Sequence, residues 1–451
     1  MTAPTRPTPT GRRRIRGAYL VTMDPGLGNF RGDLDLEGNR IRALGEDLDR
    51  PGEPAPDVTE DGRNWIVMPG FVQAHVHLCQ SLFRGLAGGL PLSRWLEERI
   101  WPLEAAHDEM TMAAAARLGI AECLLHGATT LLDMGSVHHT GVIAEVADAM
   151  GIRATLGKAL MDTGDTVPPA LIQDAEVALR EALELNAAWD GRGEQRLRVA
   201  LAPRFTLSVS AGLWRELAVE ARRRDLLVHT HISETDWENE TCLALHGDRP
   251  LGALGSWGVL DARTALVHAV RLEASEIDLL AEHPAAVIHC PGSNAKLGSG
   301  IADVAALREA HVPVGLGSDG TACNDTLSPL LEMRLAAQLQ SLRHGPARMP
   351  ASEVLRMATV GGAEALGRGE EIGRLTPGRQ ADWIAYSATD LPLGDDVADT
   401  LVWSAAGARP SEVSVAGRRL VTGGRLCEDS LTEIRESAQH AHRRLRQRAG
   451  I

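Results

Sequence analysis

The stretch Pro69-Gly70-Phe71-Val72-Gln73-Ala74-His75-Val76-His77 decides how the rest of the chain is read. Its apolar residues suit a strand covered on both faces of a parallel sheet. It ends on two histidines at i and i+2, which point to the same face of a strand. Such a pair can offer two imidazole nitrogens to one metal ion. Alone the pair is a weak signal, and polar residues later in the chain give it weight.

The same texture recurs. Short apolar runs stand at 129–134, 153–158, 199–204, 227–231, 265–268, 286–290 and 312–317. Between most of them, stretches such as 112–125, 142–150, 213–223 and 274–281 carry apolar residues at helical spacing. Strand–helix alternation is the α/β signature, and eight such runs predict a (β/α)8 TIM barrel over residues 69–367. Residues 1–68 read instead as short strands at 14–23, 32–37 and 40–44, with turn signals such as Asp24-Pro25-Gly26. Residues 368–451 begin in a similar way, with strands at 372–387 and 412–425 broken by Pro377-Gly378 and Gly423-Gly424. The two ends are expected to pair into one small β-sandwich domain. The tail, 431–448, is expected to be a charged amphipathic helix grouped with that domain.

The 451 residues include 46 Lys+Arg against 60 Asp+Glu, a formal net charge of −14. That length accommodates two or three domains, or one large barrel with additions. The acidic balance argues against nucleic-acid binding, because no basic surplus exists to neutralise phosphates. No apolar run approaches the ~20 residues that span a bilayer, and residues 1–16 lack the apolar core of a secretory signal. The six cysteines contain no CxxC pair, which argues against a thiolate zinc site and suits reduced thiols in a cytoplasm. Aromatic residues make up only 3% of the chain, so the few that neighbour polar motifs gain weight.

Polar groups stand at or just beyond the C-terminal ends of the proposed strands: His75 and His77, Arg204, His231 with Glu234, His268, His289 and Asp319. In a TIM barrel those ends form the active-site face. Three histidines and an aspartate suit Zn2+ or Fe2+, and the lack of paired thiolates points to an open, catalytic site. His229-Thr230-His231 is a second alternating pair, and either histidine can serve as ligand. His231 is preferred because Glu234, three residues on, then reaches the same pocket; His229 reads as a supporting core histidine. Glu234 equally suits a helix start. His138 and His139 follow the second run, either as solvated loop residues or as substrate-facing ones.

Residues 69–77 look like the opening strand of the amidohydrolase superfamily. His231-Ile232-Ser233-Glu234, His289-Cys290-Pro291-Gly292-Ser293-Asn294 and Gly317-Ser318-Asp319-Gly320 resemble its aminohydrolase, or deaminase, branch. Ile372-Gly373, Leu375–Gly378 and Ala381-Asp382 resemble the return into its small β-sandwich domain. The resemblance implies one divalent metal, Zn2+ first and Fe2+ as the alternative, held by His75, His77, His231 and Asp319. It favours a mononuclear centre, since Arg204 rather than a lysine ends the fourth run. It makes His268 the histidine that hydrogen-bonds the reacting water and Asp319 the base that takes the water's proton. Glu234 becomes the acid that protonates a ring nitrogen before ammonia leaves. It also implies a homodimer or larger homo-oligomer.

Residues 77–87 with Trp95-Leu96, and 292–300 with Asn294, Lys296 and Leu297, resemble deaminases of S-adenosylhomocysteine, 5'-methylthioadenosine and 5'-deoxyadenosine. Arg94 departs from that pattern, where an acidic residue stands near the ribose, and so does Arg204, where a histidine stands near the purine. Gln80 and Arg204 match instead the positions by which guanine deaminases hold the purine; Arg204 also suits a structural ion pair. The expected substrate-binding residues are Gln80, Trp95, Lys158 and Arg204. Phe83, Trp101 and Phe205 are expected near the mouth, which Arg94, Lys158 and Arg204 would make basic. The expected reaction is hydrolytic release of ammonia from the 6-amino group of a small purine nucleoside, a 5'-modified adenosine. Aminodeoxyfutalosine is included, because a Lys158–Arg204 pair would hold its benzoate. Guanine or 8-oxoguanine deamination is the second reading and a triazine hydrolase of the same branch the third. A non-catalytic metal-binding protein is the reading from another class.

Overall fold

A computed structural model of the protein describes residues 10–49, 51–392 and 394–451. Residues 1–9, part of the stretch read for a secretory signal, lie outside the described residues. Eight parallel strands form one sheet in chain order: Phe71–Val76, Ala128–Asp133, Arg153–Leu160, Leu197–Pro203, Val228–Ile232, Thr264–His268, Ala285–His289 and Val314–Leu316. Each falls on one of the predicted runs. A bridge between Val76 and Asp319 joins the last strand's exit to the first strand and closes the (β/α)8 barrel. All but the fourth and fifth strands are buried at every residue, as expected of a sheet covered on both faces.

The closing seam positions the site. Gln73 Nε2 donates to Ser318 Oγ at 2.6 Å and to the Leu327 carbonyl at 3.0 Å, while its Oε1 accepts from the Ser318 N–H at 3.0 Å. At Gly317 a Cβ would stand 2.9 Å from both the backbone nitrogen and oxygen of His75. Only glycine permits that approach, which sets Asp319 beside His75.

Both chain ends build a second, nine-stranded sheet. Trp65–Pro69 runs parallel to Arg12–Val21 and antiparallel to Trp383–Ser387, and so stitches the ends together. Ile15, Leu20, Leu34, Ile41, Val67 and Trp383 belong to its own core. Two expectations change. The 372–387 stretch is a strand only from Trp383; Ile372 and Leu375 owe their apolar character to packing in two core clusters, not to a ladder. The terminal helix, Leu431–Ala449, lays its apolar face on the barrel helix Glu109–Leu125 instead of on the sheet. Ala438, Ala441 and Leu445 pack with Leu82 and Ala115, and Arg444 and Arg448 pair with Asp108. Among the described residues no helix is long and apolar enough to cross a membrane.

Candidate active site

The strand ends bring His75, His77, His231 and Asp319 together, with one ligand atom from each lying within 4.8 Å of the others. His75 Nε2 stands 3.2 Å and His77 Nε2 3.4 Å from Asp319 Oδ1, and His77 Nε2 stands 3.3 Å from His231 Nε2. A backbone contact fixes one tautomer. His231 Nδ1 donates to the Arg204 carbonyl at 2.7 Å; a carbonyl only accepts, so Nε2 keeps its lone pair. His75 Nδ1 lies 2.8 Å from His229 Nε2. The other ring nitrogen of His75, Nε2, faces Asp319. Burial lowers the proton affinity of His75, His77 and His231, which favours the neutral form that a metal requires. Three neutral imidazoles and a carboxylate that converge in this way fit a divalent ion. His229 is thus a partner of a candidate ligand.

Backbone strain marks the same strand ends. Ser233, His268 and Asp319 hold positive φ angles of 46°, 76° and 62°, which cost non-glycine residues about 1–3 kcal/mol each.

Glu234 follows the fifth strand. Its Oε1 accepts from Ser299 Oγ at 2.8 Å, and its N–H donates to Glu238 Oε2 at 2.8 Å. Its Oε2 stands 3.6 Å from His268 Nε2, which lies 3.8 Å from Asp319 Oδ2. His268 Nδ1 lies 2.9 Å from Asn294 Oδ1; the amide oxygen accepts from it, so Nε2 is the nitrogen turned to the two carboxylates. Burial raises the pKa of Glu234 above the usual carboxyl range and pushes Glu238 up to about 7. A buried carboxyl, a buried histidine and a metal-type donor set therefore share one cluster.

Residues 66–420 match the amidohydrolase family. The chain belongs to that family. It is 37% identical over 408 residues to a 5'-deoxyadenosine deaminase of Methanothermobacter thermautotrophicus, covering 90% of this chain and 92% of that one. It is 37% identical over 443 residues to a 5-methylthioadenosine/S-adenosylhomocysteine deaminase of Halobacterium salinarum, covering 97% and 99%. Among solved structures, an adenosine deaminase from Xanthomonas campestris with bound zinc superposes with a TM-score of 0.90 at 31% identity, covering 98% of this chain and all of that one. This amidohydrolase is a hydrolase acting on C–N bonds.

In the amidohydrolase a narrow pocket opens over the cluster, and Gln80, Trp95, Arg204 and Phe205 line it with Leu92, Leu96 and Leu297. Gln80 sits on the short turn Leu78–Leu82 that leaves the first strand. Its Nε2 donates to Glu104 Oε1 at 3.0 Å, and Arg204 donates to both Glu104 oxygens at 2.5 and 3.1 Å. Burial opposes the charge of Arg204, but the Glu104 carboxylate more than offsets it and raises the guanidinium's proton affinity. The Arg204 side chain is thus both an ion-pair partner and a pocket wall. Sequence reading passed over Glu104 and Glu238, which no motif spacing marks, and left Ser299 without a role inside the 292–300 stretch.

Other placements differ from expectation. Lys158 does not line this pocket. The third strand runs on to Leu160, so Lys158 is not at its end, and the alternate residues Leu156 and Leu160 belong to the cluster that includes Ala178 and Leu179 of the helix Ala175–Trp189. Its ammonium donates to Gln173 at 2.5 Å, stands 3.4 Å from Glu181, and faces a second pocket with His138 and His139. Arg94 is exposed, pairs with Glu98 at 2.6 Å and is not in the pocket lining, so of the three cations expected at the mouth Arg204 alone lines the pocket. Phe83 stacks on His107 and Trp101 lies in the same packed layer, beside the pocket and not in its lining. His289 is buried, with no hydrogen-bond partner for either ring nitrogen among the described residues.

Proposed function

We propose that this amidohydrolase is a deaminase that releases ammonia from the 6-amino group of a 5'-modified adenosine, with 5'-deoxyadenosine, 5'-methylthioadenosine and S-adenosylhomocysteine as the leading substrates. The observation that carries the reading is the position of Glu234, a buried carboxyl 3.6 Å from His268 that opens on the same pocket as the donor set. Relatives named for these substrates, matching over nearly the whole chain, support the substrate class.

When bound, a divalent ion at His75, His77, His231 and Asp319 supplies a Lewis-acid centre that lowers the pKa of water toward 7. We assign it as Zn2+, with Fe2+ the alternative because the donor set accepts both; the zinc in the Xanthomonas structure supports that choice. Glu234, whose burial favours the protonated form, donates its proton to a purine ring nitrogen and makes C6 electrophilic. Asp319 takes a proton from the attacking water, and His268, held by Asn294, orients that water through Nε2. The tetrahedral carbon then returns its hydroxyl proton to Glu234. Asp319 passes its proton to the amino group, and the C6–N bond breaks to release ammonia.

One observation favours a second reading. Gln80 and Arg204 both line the pocket, as expected of a guanine or 8-oxoguanine deaminase. A cytoplasmic location agrees with the six free thiols, and a homodimer or larger assembly, implied by the resemblance, is testable by light scattering. The substrate test is ammonia release by metal-loaded protein from the three leading nucleosides, aminodeoxyfutalosine, guanine and 8-oxoguanine, with chloride release followed for a chlorotriazine. The highest kcat/KM on a 5'-modified adenosine is expected. Release from guanine or 8-oxoguanine alone would replace the reading with the second one.

A further inference from the structure

Glu104 takes no part in the proposed metal and acid–base chemistry, yet its side chain is 2% exposed and sits behind the pocket wall. Its carboxylate is fully engaged. Two N–H groups of Arg204 and one of Gln80 donate to it. A buried charge is costly unless paired, and Glu104 balances the arginine in the pocket lining. Binding the Gln80 nitrogen also decides which way that amide faces. Gln80 Oε1, buried and without a partner among the described residues, is left as an acceptor. Arg204 has five N–H donors and spends two on Glu104, so donors remain. This end of the pocket therefore offers donors and an acceptor at no net charge. Lys158 and Arg94 add no second cation to the lining, since neither is part of it.

We infer that Glu104 is a specificity-determining positioning residue: by neutralising Arg204 and orienting Gln80, it makes the pocket select an uncharged heterocycle edge over an anionic one. The inference rests on the purine reading above. It predicts that a purine ring which ionises at neutral pH binds poorly, even where its shape fits.

The test compares two nucleosides of matched size, inosine, neutral at pH 7.5, and xanthosine, an anion at that pH. Their binding to metal-loaded protein is measured by calorimetry. Wild-type protein is expected to prefer inosine by about tenfold or more, and Glu104→Gln, which leaves the Arg204 charge unbalanced, to lose about tenfold of that preference by gaining affinity for xanthosine. Glu104→Asp keeps the charge and should keep the preference. Should Glu104→Gln not fold, Arg204→Gln is the mirror variant. It leaves the carboxylate unbalanced and should widen the preference for inosine. A merely structural role for Glu104 would weaken both ligands together. An unchanged ratio in the folded variants overturns the inference while wild-type deaminase activity stands. Wild-type protein that binds neither nucleoside and releases ammonia from no purine overturns the purine reading and this inference with it.

Discussion

His231 donates through Nδ1 to the backbone carbonyl of Arg204 at 2.7 Å, and that bond decides which nitrogen of His231 is left for a metal ion. One residue at the end of the fourth strand thus serves twice. The backbone of Arg204 orients the His231 imidazole, and its side chain walls the pocket. A similar division holds across the barrel, where His229 supports His75 at 2.8 Å.

Replacing the two histidines of the fifth strand should give different results. His231→Ala removes a donor and is expected to lose bound metal and turnover together. His229→Ala leaves all four donors but strips the partner from His75 Nδ1, so metal affinity is expected to fall about 10–100-fold. Competition with a chromogenic chelator, together with elemental analysis, measures both.

Glu234→Gln is expected to lower kcat by about 10²–10⁴-fold with metal content unchanged. Ser299→Ala gives the finer result. Its hydroxyl donates to Glu234 and favours the charged carboxylate. Without it the pKa of Glu234 should rise further. Glu234 must be protonated to act, so activity is lost as pH rises through its pKa, and the alkaline limb of the kcat profile should move to higher pH.

Asp133 makes metal-free stability pH-dependent. Burial pushes its pKa from 3.8 to about 7, even though the Leu78 N–H donates to it at 2.8 Å. Between those values the folded chain holds a proton that the unfolded chain has released. Stability is therefore full below the unfolded pKa and falls as pH rises to about 7. Asp133→Asn keeps an acceptor for Leu78 and removes the titration. Its unfolding free energy is expected to exceed wild type by roughly 2–4 kcal/mol at about pH 8, and by much less at about pH 4.5, in urea titrations.

Trp95 and Lys158 separate the two pockets kinetically. Trp95→Ala removes an aromatic wall of the catalytic pocket and should raise KM about tenfold, in line with stacking worth about 1–3 kcal/mol per base. Lys158→Ala, in the other pocket, should leave KM within about twofold of wild type. Steady-state kinetics on one nucleoside distinguishes them.

The barrel was legible because strands buried on both faces write themselves as continuous apolar runs, and their polar ends then stand out. His75, His77, His231 and Asp319 lie at or just beyond such ends, so the donor set could be read before any distance was known. Glu104 was not legible. It belongs to the short helix Trp101–Ala105 in the excursion after the first strand and reaches Arg204 only through the fold. Lys158 misled because the third strand continues two residues beyond it, to Leu160. The terminal helix showed an apolar face in its spacing, but spacing does not name the partner; Leu82 and Ala115 cover that face.

The deaminase assignment is tested most directly by quantifying ammonia and the 6-oxo nucleoside formed from 5'-deoxyadenosine by metal-loaded protein, by its chelator-stripped form and by Glu234→Gln. Equimolar products are expected from the loaded wild type alone, with activity returning to the stripped protein on addition of Zn2+. Metal-loaded wild-type protein that releases no ammonia from 5'-deoxyadenosine or from any other purine tested would contradict it.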